Sequence, residues 1–103
     1  MKIFITGKVT GLSIEDYSDK FNSAEEYLHL LYPSATILNP LRITSHLNPT
    51  IHGWREYMMP CLEELLKLEK DDFVFVLDNF NESKGSKVEI AVAKACELKI
   101  IYQ

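Results

Sequence analysis

Positive charge is scarce in this 103-residue sequence, where 11 Lys and Arg stand against 15 Asp and Glu for a net charge of −4. That deficit excludes broad binding to a nucleic acid polymer, which needs a concentrated surplus of Lys and Arg. A small anion held by a few placed donors stays open, because that chemistry is local. No apolar run approaches the length of a membrane span, so no membrane partner is expected. Cysteine is limited to Cys61 and Cys96, each among apolar residues at helical spacing. Two such thiols read as buried and reduced, neither a disulfide framework nor half a zinc site. The three histidines, His29, His46 and His52, show no metal-ligand spacing, and no metal site is expected. Met1-Lys2-Ile3-Phe4-Ile5 runs into a strand-like segment without an h-region or cleavage site, which sets the expectation of a cytoplasmic protein.

What is present is an ordinary folded composition, 47% apolar and 25% charged, sized for one domain over 1–103. Lys2–Thr6 is short, β-branched and aromatic, and stops at Gly7: a first strand. From Asp16, the apolar positions Tyr17, Phe21, Ala24, Leu28 and Leu31 trace one face of a helix, which Pro33 and Ser34 end. Ala35–Leu38 reads as a second strand closed by Asn39-Pro40. Residues 41–53 show no period and read as a long loop of the kind that is often functional. Trp54, Met58, Cys61, Leu65 and Leu68 restore the helical spacing, with Pro60 expected to kink the helix or restart it. Phe73–Leu77 is a continuous apolar run of strand length, the mark of a central strand covered on both faces. A polar loop over Asp78–Gly85, a short helix over Val88–Cys96 and a last strand over Lys99–Tyr102 follow.

The order β-α-β-α-β-α-β, without repeats or low-complexity tracts, predicts an α/β fold. It is a flavodoxin-like or Rossmann-like three-layer sandwich, with a parallel four-stranded sheet in the order 2-1-3-4. Ligands in such sheets bind beyond the carboxyl ends of the strands where the winding reverses, here between strands 1 and 3. The loops meeting there are Gly7–Gly11 and Asp78–Gly85. In the first, Gly7, Lys8, Thr10 and Gly11 form a candidate anion cradle, with a plain turn as the competing reading. In the second, Ser83, Gly85 and Ser86 sit at the entry to a helix, where exposed N–H groups favour anions, and Asp78 is within reach. Glu89 follows, beside the apolar Ile90-Ala91-Val92-Ala93. It reads either as a functional carboxylate or as the far end of a capping box, Ser86-x-x-Glu89. Asp71-Asp72 reads as a solvated helix end, Arg42 as a solvated loop charge, and Trp54 and Tyr57 as core.

Four segments, taken together and in order, carry a resemblance. They are Lys2–Gly11 (KIFITGKVTG), Asn39-Pro40, Trp54-Arg55-Glu56-Tyr57-Met58, and Glu82-Ser83-Lys84-Gly85-x-x-x-Glu89-x-x-x-Ala93. The chain resembles the nucleoside 2-deoxyribosyltransferase superfamily over essentially its whole length. The resemblance implies that Glu89 is a nucleophile in cleavage or transfer at the N-glycosidic bond of a 2′-deoxynucleoside or its 5′-monophosphate. It also implies that Ser83 helps to hold a phosphate. The family's acid on the preceding helix falls on Cys61 when aligned from Tyr57-Met58 and on Glu64 when counted back from Ser83. The expected partner is a nucleoside or nucleotide, and no cofactor is required. The alternative is a non-catalytic module that binds a nucleotide or sugar phosphate on the same fold. A homodimer is expected, with Trp54, Tyr57, Met58 and Met59 as candidate interface residues.

Overall fold

The computed structural model describes all of residues 1–103. Four parallel strands, β1 (Lys2–Thr6), β2 (Thr36–Leu38), β3 (Phe73–Val76) and β4 (Lys99–Tyr102), form one sheet in the order β2-β1-β3-β4. Four helices connect them: α1 (Ile14–Leu31), α2 (Pro40–Ile43), α3 (Trp54–Leu66) and α4 (Lys84–Ala95), with one 3-10 turn over Phe80–Glu82. The α/β architecture and the strand order are those expected from the sequence.

The alternation of side chains along a strand divides the core in two. Ile3 and Ile5 of β1 join Phe73 and Phe75 of β3 in packing against Phe21, Ala24 and Leu28 of α1. Phe4, Val74 and Val76 face the other way, against Cys61 and Leu65 of α3 and Ile90 and Ala93 of α4. Every residue of β3 is buried, which is why that segment reads as an unbroken apolar run; Ile3–Thr6 of β1 is equally buried. The same alternation puts Thr6 on the face of Phe4, under α3 and α4.

The helix starts follow side-chain oxygens more than apolar periodicity. Ser13 accepts from the Asp16 N–H to open α1, and Asn39 accepts from the Leu41 N–H to open α2, so the expected loop from residue 41 begins as a helix. Ser83 accepts from the Ser86 N–H and opens α4 at Lys84, four residues before the expected start. α3 continues as one helix through Pro60 rather than restarting there.

Two further expectations are corrected. Asp72 is buried, and its carboxylate accepts the N–H groups of Lys2 and Glu69 at 2.7 Å each, tying the start of β1 to the start of β3. Cys96 is exposed, because it caps α4 beyond the last turn that packs on the sheet. Where β1 leaves the sheet, the chain passes so close to β3 that a Cβ on Gly7 would lie 2.5 Å from Leu77 Cδ1 and 3.0 Å from its Cβ. Glycine is required there for space. Gly7→Ala is expected to lower the unfolding free energy by about 1–3 kcal/mol in urea denaturation. Gly53→Ala, at a position where an added methyl meets nothing within 4 Å, is expected to change it far less.

Candidate active site

The loops after β1 and β3 meet at the carboxyl edge of the sheet, where the winding reverses. The Lys8 N–H donates to Asn79 Oδ1 at 3.0 Å, and Lys8 Nζ pairs with Glu82 at 2.8 Å. Asp78 pairs with Lys20 of α1. Thr10 and Gly11 lie in an exposed turn in which Gly11 has φ +88°, the left-handed region that suits glycine. Lys8 and Lys20 are thus both engaged with carboxylates, and Thr10 is open to solvent.

Beneath those loops sits a buried polar cluster. Thr6 Oγ1 lies 2.7 Å from Glu89 Oε1 and 2.9 Å from Ser86 Oγ, and all three residues are buried, with Glu89 6% exposed. Glu89 reaches this position because α4 starts at Lys84, which puts Ser86 in its first turn and Glu89 in its second, both turned toward the sheet. The capping-box reading fails on the same fact. The Ser86 N–H donates to Ser83 Oγ at 3.1 Å, and the Glu89 carboxylate is engaged by Thr6.

Removal from water disfavours the charged carboxylate and raises the Glu89 pKa from 4.5 to about 7, while the Thr6 hydroxyl pulls the other way. Glu89 belongs to none of the ion pairs. On α3, burial and the nearby charges of Glu89 and Glu64 push the Cys61 thiol up to about 12, so it is neutral. Glu64, one turn further along, is partly exposed and 3.5 Å from Lys67 Nζ. Cys61 therefore faces Glu89 as a very weak acid, and Glu64 sits toward solvent.

The structure brings together Ser83, Ser86, Glu89 and Cys61 but gives both serines other tasks than ligand binding. Ser86 is 1% exposed and bonded to Thr6, so it is closed to a ligand. Gly85 allows α3 and α4 to meet: a Cβ there would lie 3.1 Å from Met58 Sδ and 3.8 Å from Trp54 Nε1. Ser83 has its oxygen engaged as the α4 cap. An open depression of about 490 Å³ lies beside α4, but Asn81, Glu82, Lys84, Lys87, Val88 and Ala91 line it, and Glu89 does not.

Thr6 is the residue missed in the sequence, although it is the one polar side chain at the buried end of β1 and alternation places it with Phe4. Arg42, read as a solvated loop charge, in fact pairs with the buried Glu25 at 2.6 Å, and Asn39 lies between α1 and α2 in the same group. Trp54, read as core, is 38% exposed with Lys84 Nζ 4.2 Å from its ring centre. No group of three His, Cys, Asp or Glu side chains is placed to hold a metal ion.

A family model described as a domain of unknown function (DUF4406) matches residues 1–102. No curated protein and no solved structure matches the chain.

The raised pKa makes a stability prediction. Between the unfolded value of 4.5 and the folded value of about 7, the native state holds a proton that the unfolded chain releases. The contribution of Glu89 is then fully present below the lower value and is lost as pH rises through the upper one. Relative to Glu89→Gln, the wild type should lose about 3 kcal/mol of unfolding free energy across that interval in chemical denaturation. Parallel pH dependences for the two proteins would contradict the assignment.

Proposed function

We propose that this chain, which belongs to the DUF4406 family, cleaves or transfers at the N-glycosidic bond of a 2′-deoxynucleoside or its 5′-monophosphate, with Glu89 as nucleophile. The observation that carries the reading is Glu89 itself: a carboxylate held out of water near the carboxyl ends of β1 and β3, bonded to a single hydroxyl and free of any cation. Ion pairing does not account for a carboxylate in that setting, and burial without a partner charge is costly. The resemblance of the Ser83-x-Gly85-x-x-x-Glu89 block to the nucleoside 2-deoxyribosyltransferases supplies the reaction class.

In this reading Glu89 Oε attacks the anomeric carbon as the carbon–nitrogen bond breaks, and the bonding pair leaves with the base. The departing base takes a proton from solvent, because the neutral Cys61 thiol is too weak an acid to give one. Water, or a second base, then attacks the same carbon and returns the bonding pair to Glu89. No cofactor enters the scheme. With Glu89 enclosed, the groups that cover it have to move before the sugar can reach the carboxylate.

A second reading, a module on the same fold that binds a nucleotide or sugar phosphate without catalysis, is favoured by that enclosure and by a thiol at the Cys61 position. The two readings share the fold and differ in whether bonds break. A homodimer belongs to the first reading, since a partner would cover the exposed Met59 and Leu66 on the outer side of α3. Met58, one of the residues expected at such an interface, is instead buried against α4.

Incubation with the deoxynucleosides and their monophosphates, followed by chromatography, is expected to show free base. Its rate should rise with pH through about 7 as Glu89 ionises. Glu89→Ala should lower that rate by about a thousandfold or more while the protein stays folded. Binding without base release would select the second reading. Light scattering at micromolar concentration should give twice the 11.9 kDa chain mass, and a monomer would remove the dimer from the proposal.

A further inference from the structure

We infer that Thr6, backed by Ser86, is the positioning residue of Glu89: a two-hydroxyl chain that fixes the carboxyl group in place and donates to its ionised form. Its bearing on catalysis rests on the reading of Glu89 as nucleophile; its bearing on the carboxyl group does not.

Proton stoichiometry sets the direction of the chain. Thr6 Oγ1 is within hydrogen-bond distance of both Glu89 Oε1 and Ser86 Oγ, at 2.7 and 2.9 Å, yet a hydroxyl carries one proton. An ionised Glu89 can only accept. Thr6 must then donate to it, and Ser86 must donate to Thr6. A protonated Glu89 carries a donor of its own. It also keeps an acceptor oxygen, so Thr6 can donate to it as before, through a weaker bond than the carboxylate receives. Both protonation states use the same three oxygens. Thr6, Ser86 and Glu89 have no buried oxygen lacking a partner.

The surroundings make this chain the means by which the carboxyl group is held in both states. From α3 the titratable group facing Glu89 is the Cys61 thiol, which is neutral, with Glu64 behind it and toward solvent. From the sheet, Phe4, Val74 and Val76 on the same face bring no charge, and α4 brings Ser86. With no cation to hold the carboxylate, one hydroxyl supplies the hydrogen bond that favours the ionised form. Removing it would leave a buried acceptor unpaired, which costs more than the bond contributes when made.

The test is carboxyl titration by NMR on the whole protein with 13C-labelled glutamate, with Glu89 assigned by the signal lost in Glu89→Gln. Thr6→Val keeps the shape and removes the hydroxyl, and should raise the Glu89 midpoint by about one pH unit or more. Thr6→Ser keeps the hydroxyl and should return the midpoint to the wild-type value. Ser86→Ala removes only the outer member and should shift the midpoint upward by less. Where base release is measurable, the rising limb of kcat/KM against pH should move with the titration in each variant. An unchanged midpoint in Thr6→Val overturns the inference, and if that variant does not fold, an unchanged midpoint in Ser86→Ala does so. Midpoints that move as expected in a protein that releases no base would uphold the role of Thr6 and count against the nucleophile.

Discussion

A buried carboxylate held by one hydroxyl is the constraint on which this site turns. Glu89 loses its hydration to the α4–sheet interface and receives one bond from Thr6 in return. An ordinary surface glutamate is ionised at neutral pH and is a weak nucleophile in water. Burial moves the ionisation of Glu89 to about 7, so neutral solution holds both forms, and the ionised form is stripped of the water that would blunt it. The same burial destabilises the folded protein at alkaline pH, which is a reason to look for function in the group rather than packing.

The placement of that carboxylate follows from features that have little chemistry of their own. Ser83 starts α4 early enough that Glu89, in the second turn, lies over the end of β1. Gly7 lets β1 leave the sheet hard against Leu77, and Gly85 lets α3 close on α4. Two ion pairs, Lys8 with Glu82 and Lys20 with Asp78, lace the loops above the site. Such exposed pairs contribute little stability.

Much of the fold was legible in the sequence because burial writes a pattern. Phe73–Leu77 is apolar at every position since both faces of β3 are covered, and α1 shows a clean stripe because only one face is. The start of α4 was not legible in that way. Lys84-Gly85-Ser86-Lys87 has no apolar periodicity, and its helical state is set by the Ser83 oxygen. Asp72 looked solvated because one of its two partners is a backbone N–H 70 positions away. The candidate site was legible at Glu89, whose neighbours in sequence are too apolar for a surface carboxylate. Gly85 and Ser86 looked like ligand contacts because their actual neighbours, Met58 and Thr6, come from other elements. Thr6 needed one further step, the knowledge that the second turn of α4 lies over the end of β1.

A bond between Glu89 and the sugar is the central claim, and trapping that bond tests it most directly. The protein would be mixed with deoxynucleosides and their monophosphates, quenched rapidly in acid, and its intact mass measured before peptide mapping. The expected result is a fraction of the chains heavier by one deoxyribosyl group (or its phosphate), mapped to the peptide containing Glu89 and absent in Glu89→Ala. Base released without any adduct, or an adduct on another residue, would contradict it.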